Sequence, residues 1–303
     1  MQDRYSGDVG DFGKLALLRA LGPGKSIGVC WYLTSGAGET NRDGRHTAYI
    51  DHPRRFRYLD PPLFDALSRF RAAVDSGLHP RSVVALEAAL EIAKLLPAST
   101  RFHRTLCPDA RAERASWRVE MVAAMADTEL VLLDPDNGLE AATLTNKSAA
   151  LDDLQALRRP NRALLLYHHQ TRFTGGAEAE VSDLRSRLEH AGFGPVEAVR
   201  LRPYSSRYYF LLAESRSCRA WTPSPRTGDA RPSVSGTRIS RRHLDRGLRL
   251  QNSAGLPQRT LQFPRRGWRS RFIVAPRNLQ KRSSRPRNIR SPGRHDGDRG
   301  FRA

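Results

Sequence analysis

A short segment of the chain, Asp134-Pro135-Asp136-Asn137, places two carboxylates and an amide within four residues. Two carboxylates this close together can bind a divalent cation. A further titratable group, His168, is of the type that acts as a general base near neutral pH. These residue types favour an enzyme in which Asp134, Pro135, Asp136, Asn137 and His168 are the catalytic candidates.

The segment that begins at Asp134 and the segment that contains His168 each follow a short apolar run. Residues 130–133 fit a strand buried on both faces, and residues 162–167 fit another. Parallel strands end at one edge of a sheet, where open α/β sheets bind ligands, so Asp134 and His168 are expected side by side there. Adjacent strand residues point to opposite faces, so only one of His168 and His169 is expected to face the site, and no metal pair is expected. The alternative is an ordinary histidine at a strand end.

Two glycine-containing segments are candidates for ligand binding. Residues 5–13 form a loop rich in glycine and aspartate that leads into a helix predicted over residues 14–21, and a helix amino terminus can bind an anion. The strand predicted over residues 27–33 runs into Gly36-Ala37-Gly38, where glycine lets the backbone approach a nucleotide. The alternative in both segments is purely structural: Asp11 caps the helix and the glycines form turns.

The remaining pattern alternates helices with strands. Further strands are predicted over residues 46–50, 101–106, 196–201 and 207–212, and helices over residues 61–76, 82–96, 112–125, 147–157 and 177–191. The last two strands are joined by a short turn and indicate a hairpin. The expected fold is α/β: a Rossmann-like, mostly parallel sheet of about seven strands with helices on both faces and a C-terminal antiparallel hairpin.

Charge divides the 303 residues into two parts. Residues 1–214 contain 28 Lys+Arg and 27 Asp+Glu, whereas residues 215–303 contain 23 and 4, and 22 of those 23 are Arg. The second part has no helix or strand period, so we expect one folded domain over residues 1–214 and a disordered basic tail over residues 215–303. Two interpretations of the tail stay open: an arm that binds RNA or DNA through phosphate contacts, or adventitious sequence without a function.

Cysteine spacing and hydropathy argue against disulfide-rich, zinc-binding, secreted and membrane-spanning classes of protein. The three cysteines form no Cys-x-x-Cys pair, which argues against a disulfide framework or a zinc site and favours a reducing compartment. No apolar run reaches the roughly 18 residues of a membrane span, and the amino terminus is too polar for a secretory signal. The expectation is a cytoplasmic protein with no membrane partner.

The order of these motifs resembles that of S-adenosylmethionine-dependent methyltransferases of the N6-adenine type, and most of all the bacterial enzymes that methylate an adenine of 23S ribosomal RNA. Their amino-terminal series is comparable to Ser6-Gly7-Asp8, Gly10-Asp11 and Lys14, and Asp134-Pro135 is similar to the start of their Asp-Pro-Pro-Tyr motif. The chain is more similar still to an uncharacterised bacterial family with a Leu-Asp-Pro-Asp-Asn-Gly motif, which brings no activity. Both resemblances cover residues 1–214.

The resemblance to the enzymes implies S-adenosylmethionine as cofactor, and RNA or DNA as the partner that carries the methyl acceptor. It implies that Asp134 and a backbone carbonyl hold the target amino group. The chain departs from the motif at Asp136 and at Asn137, which replaces the aromatic residue on which the base would stack. Tyr167, Phe173 or Tyr204 could supply a ring from a neighbouring loop. The cofactor-binding residues implied are Gly7, Asp8, Gly10, Asp11, Lys14, Gly36 and Gly38.

Two other functions are open at this stage. Asp134 and Asp136, with His168, could form the site of a metal-dependent nuclease or another phosphoryl-transfer enzyme. The chain could also be a methyltransferase-like binding module that has lost catalysis, because this sheet architecture supports many functions.

Overall fold

A six-stranded, mostly parallel sheet forms the centre of the computed structural model, which describes residues 1–36, 46–194 and 196–213. Its strand order is β2-β1-β3-β6-β8-β7, and β8 runs antiparallel to both of its neighbours. A separate parallel pair is formed by β4 and β5. The strands are β1 (Ile27–Cys30), β2 (Arg101–His103), β3 (Leu130–Leu133), β4 (Gly138–Leu139), β5 (Ser148–Ala149), β6 (Ala163–His169), β7 (Val196–Leu201) and β8 (Arg207–Ala213).

Seven α-helices of the described residues surround the sheet. They are α1 (Val9–Leu21), α2 (Pro53–Phe56), α3 (Pro61–Asp75), α4 (Val83–Ile92), α5 (Arg111–Ala124), α6 (Leu151–Ala156) and α7 (Gly176–His190). Short polar side chains begin three of them, because the carboxylates of Asp8 and Asp60 and the hydroxyl of Ser82 accept hydrogen bonds from first-turn backbone N–H groups. No helix in the described part of the chain is long and apolar enough to cross a membrane.

Two hydrophobic cores lie on opposite faces of the sheet, as the strand period of two requires. In β3, Leu130 and Leu132 pack into one core, together with α1, α3 and α4. Val131 and Leu133 pack into the other, together with α5, α6 and α7. Each such fully buried side chain contributes about 1.5 to 3 kcal/mol of transfer free energy. The α/β class, the mostly parallel sheet with helices on both faces and the closing hairpin are therefore confirmed.

Three predictions of local structure are wrong. Residues 46–50 form a turn and the start of a 3₁₀ helix (Ala48–Asp51), because Tyr49 is buried against the ring of Phe12 instead of pairing in the sheet. The main sheet thus has six strands within the described residues instead of about seven. Helix α1 begins at Val9 because Asp8, not Asp11, is its cap.

The third difference concerns the segment after β4. A helix was expected from residue 147, but residues 148–149 are β5, and they pair with β4. Helix α6 starts only at Leu151. The backbone N–H of Ala150, the residue just before it, donates a hydrogen bond to the Asp153 carboxylate (3.0 Å). The predicted tail, residues 215–303, lies outside the described residues.

Candidate functional site

The strand order changes direction between β1 and β3. The chain leaves β1 for β2 on one side and later returns to β3 on the other side of β1. In open α/β sheets, ligands bind in the crevice outside the carboxyl ends of the strands at such a point. Tyr32 and Thr34 follow β1 here, and Asp134 and Asp136 follow β3. The fold therefore gathers the polar ends of these two strands at the edge where a ligand site is expected.

A buried lysine links two carboxylates at this edge. Lys14 Nζ lies 2.6 Å from Asp134 Oδ2 and 2.9 Å from Asp11 Oδ1. Asp11 and Lys14 lie one turn apart on the same face of α1, and no more than 5% of any of the three side chains is exposed. We call Asp11, Lys14 and Asp134 the crevice cluster. It joins the amino-terminal helix to the acid that ends β3.

Burial sets the protonation behaviour of the crevice cluster. It raises the pKa of Asp134 and of Asp11, although the ammonium of Lys14 acts in the opposite direction on both. Burial alone would lower the pKa of Lys14, but the carboxylates of Asp11 and Asp134 raise it well above its usual value. Lys14 is therefore charged at neutral pH. Two carboxyl groups share this one ammonium, so the cluster can take up a proton without discharging its lysine.

Two aromatic rings flank the lysine. The centroids of the Trp31 and Tyr167 rings each lie 5.6 Å from Lys14 Nζ, within the range of a cation–π contact. The Trp31 indole N–H donates to Glu87 (2.6 Å), which fixes that ring. The Tyr167 hydroxyl is 3.1 Å from Nδ1 of His169. The rings limit the access of water to the ammonium, which strengthens its pairing with the acids.

The first two residues of the chain fill the space between the ends of β1 and β3. The amino nitrogen of Met1 lies 2.7 Å from Asp136 Oδ1 and donates to the carbonyl of Tyr32 (2.9 Å). The backbone N–H of Thr34 donates to the Met1 carbonyl (2.9 Å). The Gln2 side chain lies beside Gly36, where an added Cβ would be 3.1 Å from its amide oxygen.

Several polar atoms around this space are buried without a hydrogen-bond partner in the described structure. They are both side-chain amide atoms of Gln2, the hydroxyl of Thr34, and Oδ2 of Asp136. Buried polar atoms in native proteins are nearly always paired, with protein, water or a ligand. The crevice thus contains hydrogen-bonding capacity that the protein itself does not use.

The glycine and aspartate segment builds the amino end of α1. The backbone N–H of Gly7 donates to Asp11 Oδ2 (2.6 Å), and Asp8 Oδ1 accepts from the N–H groups of Gly10 (2.6 Å) and Asp11. The carbonyl of Gly10 accepts a hydrogen bond from the hydroxyl of Tyr209 (3.2 Å). Of the predicted cofactor-binding residues, Asp11 and Lys14 enter the crevice cluster, while Gly7, Asp8 and Gly10 shape the helix end that carries them.

The other predicted site residues are distributed around the same edge. Gly36 adjoins the crevice, and Gly38 lies outside the described residues. Pro135 is buried directly after Asp134, and Asn137 is exposed. The backbone of Asn137 is held between two neighbours: its N–H donates to the Lys147 carbonyl, and its carbonyl accepts from His169.

His168 points away from the crevice cluster, into the core on the opposite face of β6, where it contacts the rings of Tyr208 and Phe210. Its Nδ1 accepts a hydrogen bond from the N–H of Leu139 (3.1 Å), and its Nε2 lies 3.5 Å from Glu180. An added Cβ at Gly138 would clash with this ring, so glycine is required there. Burial lowers the pKa of His168 to about 4. Across the described residues, no group of three or more His, Cys, Asp or Glu side chains is placed to bind a metal.

Two residues of the site were missed by sequence reasoning. Arg207 begins β8, is 3% exposed, and lies near Asp8 and Gly10 at the amino end of α1. Tyr209, two residues later on the same face, reaches that helix end as described above. The available signal was the charged residue at the start of the otherwise apolar run Arg-Tyr-Tyr-Phe-Leu-Leu-Ala, which a buried strand carries only when it has polar partners.

Comparisons of the chain with protein-family models, with curated proteins and with solved structures found no significant match.

Proposed function

We propose that this protein transfers a methyl group from S-adenosylmethionine to an amino group of a nucleic-acid base. One observation carries the proposal: Lys14 of the amino-terminal motif is paired with Asp134 of the Asp-Pro motif, 120 residues away in the chain. These two segments carry the resemblance to N6-adenine methyltransferases. Their direct contact at a switch point of a mostly parallel sheet supports both the enzyme class and a Rossmann-like fold.

The polarity of the crevice fits the cofactor. S-adenosylmethionine supplies a methyl group on a positively charged sulfur, and the excess of carboxylates over lysine in the crevice cluster complements such a cation. The unpaired atoms of Gln2, Thr34 and Asp136 could bond its polar groups. Met1 and Gln2 would have to move aside for it to bind between the ends of β1 and β3.

Asp134 is the residue proposed to hold the methyl acceptor. An ionised carboxylate is purely an acceptor of hydrogen bonds, and Lys14 favours that form despite the burial of Asp134. Together with the following backbone carbonyl, Asp134 would bind the two N–H bonds of the amino group and direct the nitrogen lone pair towards the methyl group. Holding two reactants in line provides a large part of the rate of such a transfer.

The alternative of a metal-dependent nuclease has less support. Lys14 Nζ stands between Asp11 and Asp134, where a metal ion would otherwise be held, and His168 faces the opposite core. Asp136 contacts the Met1 amino group instead of the other acids. Within the described residues, these acids and His168 therefore do not form a set placed to hold a divalent metal.

Two measurements on the full chain test the proposal. Calorimetric titration with S-adenosylmethionine is expected to show binding, and incubation of methyl-labelled cofactor with RNA and DNA oligonucleotides is expected to label adenine-containing strands. Asp134→Asn should lower the transfer rate by about 100-fold. Asp65→Asn, in an exposed ion pair with Arg57, is the matched control and should leave the rate unchanged.

Three outcomes separate the alternatives. No heat at high micromolar cofactor would contradict the proposed function. Cofactor binding without transfer to any base would leave a binding module in place of an enzyme. Cleavage of the oligonucleotides that requires Mg²⁺ or Mn²⁺ would favour the nuclease.

A further inference from the structure

The turn between β7 and β8 presents an exposed aromatic residue at the same edge of the sheet. Tyr204, in this turn, is 48% exposed and has a backbone φ of +63°. A left-handed conformation is unfavourable for a bulky residue, and such strain is concentrated at functional positions. The backbone N–H of Gln170, directly after β6, donates to the Ser206 carbonyl (3.1 Å). The turn is therefore fixed beside the carboxyl end of β6.

Tyr204 forms a column with two other rings. Its centroid lies 5.3 Å from that of His46 at an interplanar angle of 32°, and 6.5 Å from that of Phe56 at 20°. Phe56 is buried and contacts Phe12 of α1 edge to face (6.4 Å, 84°). The backbone of His46 is bonded to the first residue of α1, since its carbonyl accepts from the N–H of Val9. The column connects the exposed rings to the helix that carries Lys14.

Exposed arginines lie close in sequence to Tyr204 and to Phe56, which its ring contacts. Arg54 and Arg55 precede Phe56, and Arg202 lies two residues before Tyr204; all three are exposed. The Arg55 guanidinium lies 5.8 Å from the Phe56 ring centroid. Among the ion pairs of the described residues, none involves Arg54, Arg55 or Arg202. Below the turn, the buried Arg207 donates to the hydroxyl of Ser205 (2.6 Å) and so holds the turn in place.

We propose that Tyr204 and His46 form a stacking platform for an unpaired base of a single-stranded nucleic acid. Bases of every type stack on aromatic side chains, and the neighbouring arginines are of the type that binds phosphate. The platform would bind the substrate of the proposed methyltransferase, a single-stranded nucleic acid. This assignment of the substrate class rests on the proposed function. Binding of a strand to the platform can nevertheless be measured without cofactor and without turnover.

The test uses fluorescence anisotropy of a labelled adenine-containing single strand with the full chain, so that residues 215–303 are the same in every variant. Tyr204→Asn removes the ring, and asparagine tolerates the left-handed conformation of the turn. It should weaken single-strand binding about 5- to 100-fold, whereas Tyr204→Trp should preserve it. Raising the salt concentration weakens the phosphate contacts and leaves the difference between the variants in place.

A second pair of variants tests the arginines. Arg202→Gln should reduce the slope of log affinity against log salt concentration by about one, the change expected when one phosphate contact is lost. Arg111→Gln, which changes another exposed arginine at the start of α5, is the control and should leave this slope unchanged.

The proposal is overturned if Tyr204→Asn binds the strand as tightly as the natural sequence does, or if an abasic strand binds as tightly as the intact one. Loss of affinity in Tyr204→Asn together with no heat from S-adenosylmethionine would sustain the platform and reject the methyltransferase. The reverse pattern, cofactor-dependent methyl transfer that Tyr204→Asn leaves unchanged in both rate and affinity, would reject only the platform.

Discussion

Two buried ionic clusters occupy opposite faces of the same sheet, and they are built differently. On one face is the crevice cluster, with two carboxyl groups and one lysine. On the other is what we call the support cluster: Asp153 with Arg114, Arg118 and Tyr32. The fully buried Asp153 carboxylate accepts from Arg114 (2.6 Å), Arg118 (2.9 Å), the Tyr32 hydroxyl (3.2 Å) and the N–H of Ala150 (3.0 Å).

We interpret this difference as one between a structural role and a ligand-binding role. The carboxylate of the support cluster has both oxygens bonded, and it connects α5, α6 and the end of β1, so its task is to hold these elements together. The crevice cluster holds acids in excess and lies beside unpaired polar atoms of Gln2, Thr34 and Asp136. The support cluster also has one buried unpaired atom, Nε of Arg114, but its carboxylate is fully bonded, whereas the crevice has unpaired acceptors beside its excess of acids. We infer that the crevice cluster is the part of the molecule kept for a ligand.

The largest expected effect is the loss of stability in Asp153→Ala. This change leaves Arg114 and Arg118 without their carboxylate, and breaking a buried pair in this way costs about 3 to 5 kcal/mol. Urea denaturation followed by circular dichroism measures the change in the free energy of unfolding. Asp152→Ala is the control, because the side chain of Asp152 is 65% exposed and lies 3.7 Å from Arg118. Equal losses in the two variants would show that the support cluster has no special structural role.

A smaller and pH-dependent effect is expected from Lys14→Met. The variant leaves Asp11 and Asp134 buried without their ammonium, and should lose about 3 kcal/mol at pH 7. Both acids have a pKa that burial already raises in the folded state. The folded variant therefore binds protons more tightly than the unfolded chain does, and its stability rises as the pH falls. The deficit relative to the natural sequence should be smaller at pH 5 than at pH 7.

Urea denaturation at the two pH values measures this deficit, and the double variant Lys14→Met/Asp134→Asn is the control. Removing one buried charge along with its partner should recover part of the loss. A deficit that stays constant or grows towards pH 5 would contradict the protonation behaviour assigned to the crevice cluster.

Much of the fold could be predicted because its signals are local. The apolar run of β3, the spacing of α3 and α4, and the hairpin of β7 and β8 each depend on residues close in sequence. The strand predicted over residues 46–50 failed because Tyr49 serves an aromatic cluster formed with distant helices, so packing overrode the local preference. The cap of α1 was misplaced because Asp8 and Asp11 are equally suitable by residue type.

The site could be predicted only in part, since its decisive contacts are long-range. The sequence predicts Asp134 and Lys14 as site residues, but no local pattern can pair a lysine with an acid 120 positions later. The contact of Met1 with Asp136 and the burial of Arg207 likewise follow from the order of the strands. His168 was expected beside Asp134 because the strand ends are adjacent, yet its face of β6 could not be determined until the register was known.

The smallest expected effect is a change in the rate at which Cys107 is labelled. This rate tests whether the two clusters open independently of each other. Cys107 accepts a hydrogen bond from Arg114 of the support cluster, and burial raises the pKa of its thiol to about 12, so it should react slowly with a thiol reagent. Arg118→Gln removes one contact to Asp153, worth about 1 kcal/mol, and should speed the labelling of Cys107 about five- to tenfold. The reaction is followed by mass spectrometry in a Cys218→Ser background.

Asp134→Asn is the matched change on the opposite face and should leave the labelling rate of Cys107 unchanged. Cys30, at the end of β1, is fully buried and provides an internal reference in the same experiment, because burial also raises the pKa of its thiol. If Asp134→Asn speeds labelling as much as Arg118→Gln does, the two clusters open together. The crevice cluster could then not rearrange around a ligand without also opening the support cluster. The assignment of separate structural and ligand-binding roles to the two clusters would be wrong.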